Sequence, residues 1–341
     1  MAFKKGKYTY LTESPPSVRA FAASGSKKEA EGPLAKCFDI LQPDSTFGED
    51  SWEKAESRMV TVTVKRALQK AALAPNDIDC VFAGDLLNQC IGSTFGLRDV
   101  GIPLLGIYGA CSTMAEGLLL SALLTDSGTV RRAMALTSSH FCTAERQYRF
   151  PLEYGGVRTP TSQWTATACG TAIVEQGSQQ PFIRAVTFGT IQDKGVTDQN
   201  NMGAAMAPAA AETIFSFFDD TGFSPESFDL IATGDLGAVG STLLHQLLQQ
   251  KGIDISKNHA DCGLMLYDRQ NQDVHAGGSG CGCSAAVLCG HLLPAMRQGV
   301  LKNLLFIATG ALLSPTTVQQ KQSIPGIAHL VWLLSEKGGS I

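Results

Sequence analysis

Hydrophobic and polar positions along the chain fall into short apolar runs separated by longer amphipathic or small-residue stretches. One run, Ile102-Pro103-Leu104-Leu105-Gly106-Ile107-Tyr108, leads into the small-residue turn Gly109-Ala110-Cys111-Ser112-Thr113. A mostly apolar stretch follows from Met114 to Leu124, broken by Glu116, Gly117 and Ser121. This pattern predicts a buried strand, a tight turn and a buried helix. Further strands are predicted over Ala133–Ser139 and Asn303–Thr309, and helices over Trp52–Leu73, Pro208–Phe223 and Ala285–Met296. The stretch Ile327–Leu334 has two readings: a last buried strand, or a docking edge for a membrane partner. Strands alternating with helices imply an α/β chain of parallel sheets with helical crossovers.

The pattern repeats. Ala74-Pro75-Asn76-Asp77-Ile78-Asp79-Cys80-Val81-Phe82-Ala83-Gly84-Asp85-Leu86 matches Ser224-Pro225-Glu226-Ser227-Phe228-Asp229-Leu230-Ile231-Ala232-Thr233-Gly234-Asp235-Leu236. From Pro75 to Pro225 is 150 positions, and so is Gly84 to Gly234. Each copy predicts a Pro turn, a short strand and a Gly-Asp-Leu turn, with the two aspartates capping the strand ends. Two similar halves imply a pseudo-two-fold, with a cleft where their strand ends meet. The predicted division is an N-terminal arm over 1–35, one half over 36–178 and the other over 179–341. The arm is expected to lie partly extended over the core or to be a flexible tail.

Composition narrows the classes. The chain has 341 residues, 44% hydrophobic and 17% charged, with a formal net charge of -4. That fits a compact protein and gives no reason to expect a nucleic-acid partner. No apolar run reaches the roughly 18–20 residues of a membrane span, and no secretory apolar region follows the basic start. The ten cysteines are read as small buried hydrophobes or reactive thiols, in a reducing, intracellular setting. Cys281, Cys283, Cys289 and His291 do not have zinc-ligand spacing, so no metal site is expected.

Candidate chemistry centres on Cys111. Between a buried strand and a buried helix it sits at a helix N-terminus, where the macrodipole favours a thiolate. The same geometry suits either an activated nucleophile or an anion site built from backbone N–H groups.

A duplicated α/β chain with a cysteine at the first-half elbow resembles the thiolase superfamily. More specifically, Gly109–Gly117, Ser138–Pro151 and His275–Ala285 resemble a sporulation family within it, the stage V sporulation protein AD proteins of spore-forming bacteria. The superfamily implies a five-layered α-β-α-β-α fold of two similar halves. The sporulation family implies a ligand, dipicolinic acid, with its calcium chelate left open. It also implies uptake of that ligand into the developing spore, with a link to germination. The implied partners are membrane proteins of the same operon, at a peripheral position on the spore inner membrane. No other cofactor is implied, and a homodimer stays open.

The catalytic set is incomplete by this comparison. Condensing enzymes carry a His after the second-half strand, where this chain has Gly234-Asp235-Leu236-Gly237-Ala238. His275, before Gly277, Gly278 and Gly280, resembles the thiolase His, but no Cys follows the last strand in Thr309–Ser314. Cys111 and His275 are therefore vestigial catalytic candidates, and the expectation is a binding protein. The alternative is an active acyltransferase using Cys111 on acyl-CoA. The expected ligand site comprises Cys111, Ser112, His140, Cys142, Arg149, Arg158, His275, Gly277 and Gly278, with Arg146 a further candidate for gripping a carboxylate.

Overall fold

The computed structural model describes residues 1–148 and 157–337, so Arg149 lies outside the described residues. Ten of the described strands form two five-stranded sheets joined edge to edge. In chain order they are β1 (Ser17–Gly25), β2 (Cys80–Gly84), β3 (Leu104–Gly106), β4 (Arg132–Ser139) and β5 (Ala168–Glu175). The second five are β6 (Phe182–Thr187), β7 (Leu230–Thr233), β8 (His259–Asp261), β9 (Asn303–Ala311) and β10 (Gly326–Leu334). Their spatial order is β8-β7-β9-β10-β6-β1-β5-β4-β2-β3. The two sheets meet edge to edge at one residue pair, Phe182 opposite Ser17.

Each half repeats one pairing scheme. β1 and β5 are antiparallel, β5 and β4 antiparallel, and β4, β2 and β3 parallel. β6 and β10 are antiparallel, β10 and β9 antiparallel, and β9, β7 and β8 parallel. The sheets are thus mixed rather than the all-parallel sheets expected from strand–helix alternation. The last strand of each half returns from a long connection instead of a helical crossover. The repeat extends into the helices: Trp52–Ala71 and Met202–Thr221 lie at the same 150-residue offset as the strands. Pro208 lies inside the second helix rather than opening it; Asn201 caps that helix by accepting from the Ala204 N–H.

The alternating faces of the strands set the layers. In β1, Phe21 and Ala23 point into one core while Ala20 and Ala22 point into another. In β9, Leu304, Phe306 and Ala308 face the first of these and Leu305 and Ile307 face a third. A strand buried on both faces has to be apolar at nearly every position, which is why these runs are continuous. The central core holds side chains from both sheets around the helix Thr113–Asp126 and the helix Cys281–Val287. Trp52–Ala71 covers the outer face of the first sheet. Met202–Thr221 and Gly237–Gln250 cover the second. The result is the expected α-β-α-β-α stack.

Several expectations shift. Ser17–Gly25, expected within an arm or tail, is a fully sheeted strand with Val18, Ala22 and Ala23 sealed from solvent. Only Leu104–Gly106 of the run Ile102–Tyr108 is strand, and it is an edge with Leu104 38% and Leu105 47% exposed, not buried. The helix expected from Ala285 begins at Cys281, directly after Gly280, and widens through a π turn at Leu288–Leu292.

Met114 and Leu118 are fully buried between the two sheets. Met114→Ala removes buried side-chain atoms from a layer walled on both faces by strands, so collapse into the void is restricted. We expect a loss of about 2–5 kcal/mol, measured by denaturant unfolding monitored at the buried Trp332.

Candidate functional site

The elbow is built by its own backbone. Ala110 takes a positive φ of 49°, and Ala110–Ser112 forms a tight turn that runs into the helix Thr113–Asp126. The Gly109 carbonyl accepts from both the Ser112 N–H and the Ser112 hydroxyl. The Thr113 hydroxyl donates to the Ala110 carbonyl and accepts from the Gly109 N–H. Small residues are needed beneath: a Cβ on Gly310 of β9 would run into the Gly109 carbonyl oxygen. Cys111 is left 5% exposed, aimed at the second half.

What it meets there is Asp235, the residue after Gly234 at the end of β7. Asp235 Oδ2 accepts from the Gly280 N–H at 2.9 Å and the Ser279 hydroxyl at 3.0 Å, and Oδ1 accepts from the Thr309 hydroxyl at 3.0 Å. The Cys111 thiol donates to the same carboxylate. Burial, partly offset by these donors, raises the Asp235 pKa to about 6. A second buried acid braces the loop: Asp261 accepts from the Leu236 and Gly237 N–H groups and from the Thr233 hydroxyl. Burial raises Asp261 to about 7. Asp85, the matching residue of the first half, accepts from Leu87 and Ser93. It behaves as the expected turn cap, whereas Asp235 is a member of the site.

The expected thiolate at Cys111 is overturned. Burial first, then the neighbouring Asp235 charge, holds the thiol well above its ordinary pKa. The helix dipole acts in the opposite sense, but it is a sub-kcal effect at most sites and loses to desolvation.

The cavity at the thiol is small. It measures about 30 Å³ and is walled by Leu86, Tyr108, Ala144, Tyr148, Met202 and Leu313, with Glu145 at its edge. Space of this size suits about one water. Tyr148 donates to the Leu86 carbonyl at 2.6 Å, and its hydroxyl lies 3.2 Å from that of Tyr108.

Of the predicted site residues, Cys111 lines this cavity, and Ser112 is fixed within the elbow beside it. His275 does not line it. Its Nε2 pairs with Asp273 at 3.2 Å, and its backbone carries a positive φ of 48°. Arg158 binds the same Asp273 at 2.8 Å. Gly277 and Gly278 pair with the short strand Trp164–Thr165. His140 is buried; its Nε2 faces the Ser45 carbonyl at 2.8 Å and its Nδ1 accepts from the Cys142 N–H. Cys142 lines a separate groove with Phe141 and Trp164. Arg146 pairs with Glu53, away from the thiol. Sequence reasoning missed Asp235 as the partner of Cys111. The signal was present in its position, since Asp235 stands where condensing enzymes carry their His.

The sequence profile of the stage V sporulation protein AD family matches residues 6–334. The stage V sporulation protein AD of Bacillus subtilis strain 168 is 43% identical over 335 residues, covering 98% of each chain. The chain belongs to the stage V sporulation protein AD family. Its fold is shared with more distant structures. The 3-oxoacyl-[acyl-carrier-protein] synthase III of Aquifex aeolicus covers 94% of this chain and 99% of its own, with TM-score 0.52 and 13% identity. A variant of OleA from Xanthomonas campestris covers 95% and 99%, with TM-score 0.60 and 12% identity. This family member therefore has a thiolase-type fold. Among the described residues no helix is long and apolar enough to cross a membrane.

Two outcomes follow from the buried acids. Removing the Asp235 charge lowers the thiol pKa, and one unit is a tenfold gain in thiolate. Asp235→Asn should accelerate iodoacetamide labelling of Cys111 by about tenfold or more at pH 8, read by peptide mass spectrometry, from a slow wild-type rate. The second outcome concerns pH. Asp235 and Asp261 both titrate higher in the folded chain than their ordinary value of 3.8. The folded state binds their protons more tightly, so their stabilising contribution is complete below pH 4 and is lost as pH rises through about 6 and 7. The slope of melting temperature against pH over this window should flatten in Asp235→Asn.

Proposed function

We propose that this sporulation protein binds dipicolinate, free or as its calcium chelate, and has lost acyl transfer. The observation that carries the reading is the replacement of an imidazole partner by the buried carboxylate of Asp235. A condensing site needs a thiolate, a proton donor or acceptor for the second substrate, and donors for the thioester oxyanion. Here burial and the neighbouring charge hold the thiol well above its ordinary range while Asp235 titrates near 6, so proton transfer to Asp235 is uphill. A carboxylate at this place repels a developing oxyanion instead of stabilising it. The cavity of about 30 Å³ also leaves no room for an acyl chain.

Family membership supports the sporulation role, and the ligand follows from the family resemblance rather than from the thiol site. In this reading the protein works at the spore inner membrane with membrane proteins of its operon, and moves its ligand into the developing spore.

Radiolabelled acetyl-CoA should leave Cys111 without turnover-competent acylation. Dipicolinate, with or without calcium, should raise the melting temperature, since a ligand at one hundred times its Kd stabilises the folded state by about 2.7 kcal/mol. Rapid, repeated acylation of Cys111, with no thermal shift by dipicolinate, would overturn the reading.

A further inference from the structure

Asp261 ends a line of hydrogen bonds that starts at the surface. β7 and β8 run parallel, with Thr233 opposite Asp261 and Ile231 opposite His259. Residues two apart on a strand share a face, so Thr233, His259 and Asp261 project together. The Thr233 hydroxyl lies 2.7 Å from Asp261 Oδ2 and 2.9 Å from His259 Nε2. Across the ring, His259 Nδ1 lies 3.0 Å from Nε2 of His245, on the helix Gly237–Gln250. Both imidazoles line an open groove of about 550 Å³. Thr233 and Asp261 are sealed from solvent, at 0% and 2% exposed.

The carboxylate fixes the direction of every link. An ionised Asp261 only accepts, so the Thr233 proton points at it. With that proton committed, Thr233 Oγ accepts from His259 Nε2–H. Neutral His259 then has its lone pair on Nδ1, and His245 Nε2–H donates to it. A proton taken up from water at His245 Nδ1 lets each link pass its own proton inward. His245 Nε2–H goes to His259 Nδ1, His259 Nε2–H to Thr233 Oγ, and the Thr233 hydroxyl proton to Asp261 Oδ2. Solvent loses one proton, Asp261 gains one, and both imidazoles end as neutral tautomers. Burial, ahead of His245, lowers the His259 pKa to about 4, so a lasting imidazolium is disfavoured and tautomer exchange carries the proton.

Asp261 acts on more than its own charge. It accepts from the Leu236 and Gly237 N–H groups, the two residues after Asp235. Gly237 has a positive φ of 62°, and a Cβ there would strike the Ala276 carbonyl oxygen, so the loop is packed closely against the Gly-rich turn. The titratable groups facing Asp261 are Asp235 from this loop, Cys262 from the helix Cys262–Leu266 and Cys283 from the central helix, with His259 reached through Thr233. Asp254 faces His245 at the outer end. None of these described groups is a lysine or arginine, so Asp261 is held charged by its donors alone. A protonated carboxyl accepts more weakly than a carboxylate, which loosens both N–H bonds to the loop.

We infer that the His245–His259–Thr233 line is a proton inlet. Through it the pH at the groove sets the charge of Asp261, and with it the hold on the loop that carries Asp235.

Rapid-mixing infrared spectroscopy on the full chain tests this. After a drop from mildly alkaline to mildly acid pH, the wild type should gain the C=O stretch of protonated carboxyls, and Asp261→Asn should lack one component of it. Thr233→Val keeps the shape without the hydroxyl and should slow that component about tenfold or more, because the proton then waits for a local opening. Thr233→Ser should restore the rate. His259→Gln can still donate to Thr233 but cannot exchange tautomers, and should be slow in the same way. The Leu236 and Gly237 amide resonances should shift along with the component. A wild-type rate in His259→Gln overturns the inlet, even where Thr233→Val fails to fold. An Asp261→Asn band that loses no component overturns it as well. Amide resonances that stay in place while the component grows overturn the hold on the loop.

Discussion

A single carboxyl group, buried where the two halves meet, organises the centre of this protein. Asp235 takes donors from the Gly280 backbone, from Ser279, from Thr309 and from the Cys111 thiol. Those groups come from the end of β9, from the Gly-rich turn before the second central helix, and from the elbow of the first half. A charge in this position without donors would be strongly unfavourable, and four donors make it tolerable. The same group that ties the loops together also determines the state of the thiol.

Chemistry follows from that electrostatic arrangement. The dipole of one helix turn cannot compete with full desolvation plus a neighbouring negative charge. Both effects hold the Cys111 thiol well above its ordinary pKa. The overall fold is shared with an acyl-carrier-protein synthase. In this chain the end of β7 carries Asp235, and Tyr108, Tyr148 and Leu313 line the small space beside the thiol.

The layered core explains why the scaffold persists. The central helices are walled by a sheet on each side, so their residues are apolar all round and mostly small. Gly117 lies against the Ala135 side chain, and Gly310 lies under the elbow with no room for a side chain. These constraints concern packing and hold whether or not the thiol reacts.

Much of this was legible in the chain itself. The 150-residue offset between Pro75 and Pro225 announced two equivalent halves, because equivalent strands and turns need equivalent residues. The continuous apolar runs of β4, β9 and β10 announced strands covered on both faces. The small residues around Cys111 announced an elbow. Local pattern misled where burial was decided from afar. Leu104 and Leu105 are apolar, yet they form an exposed edge because, among the described residues, no further strand pairs beyond them. Pro208 looks like a helix start, yet the helix continues through it. The strand Ser17–Gly25 was lost in a polar, Pro-rich beginning, although its interior is small and apolar. Composition, duplication and the presence of Asp235 rather than a His after the second-half strand were thus determined by the sequence alone, since each depends only on which residues stand at which spacing. The neutral thiol, the role of Asp235 and the separation of Cys111 from His275 were decided by the tertiary structure, because desolvation and charge act through distances that chain order does not encode.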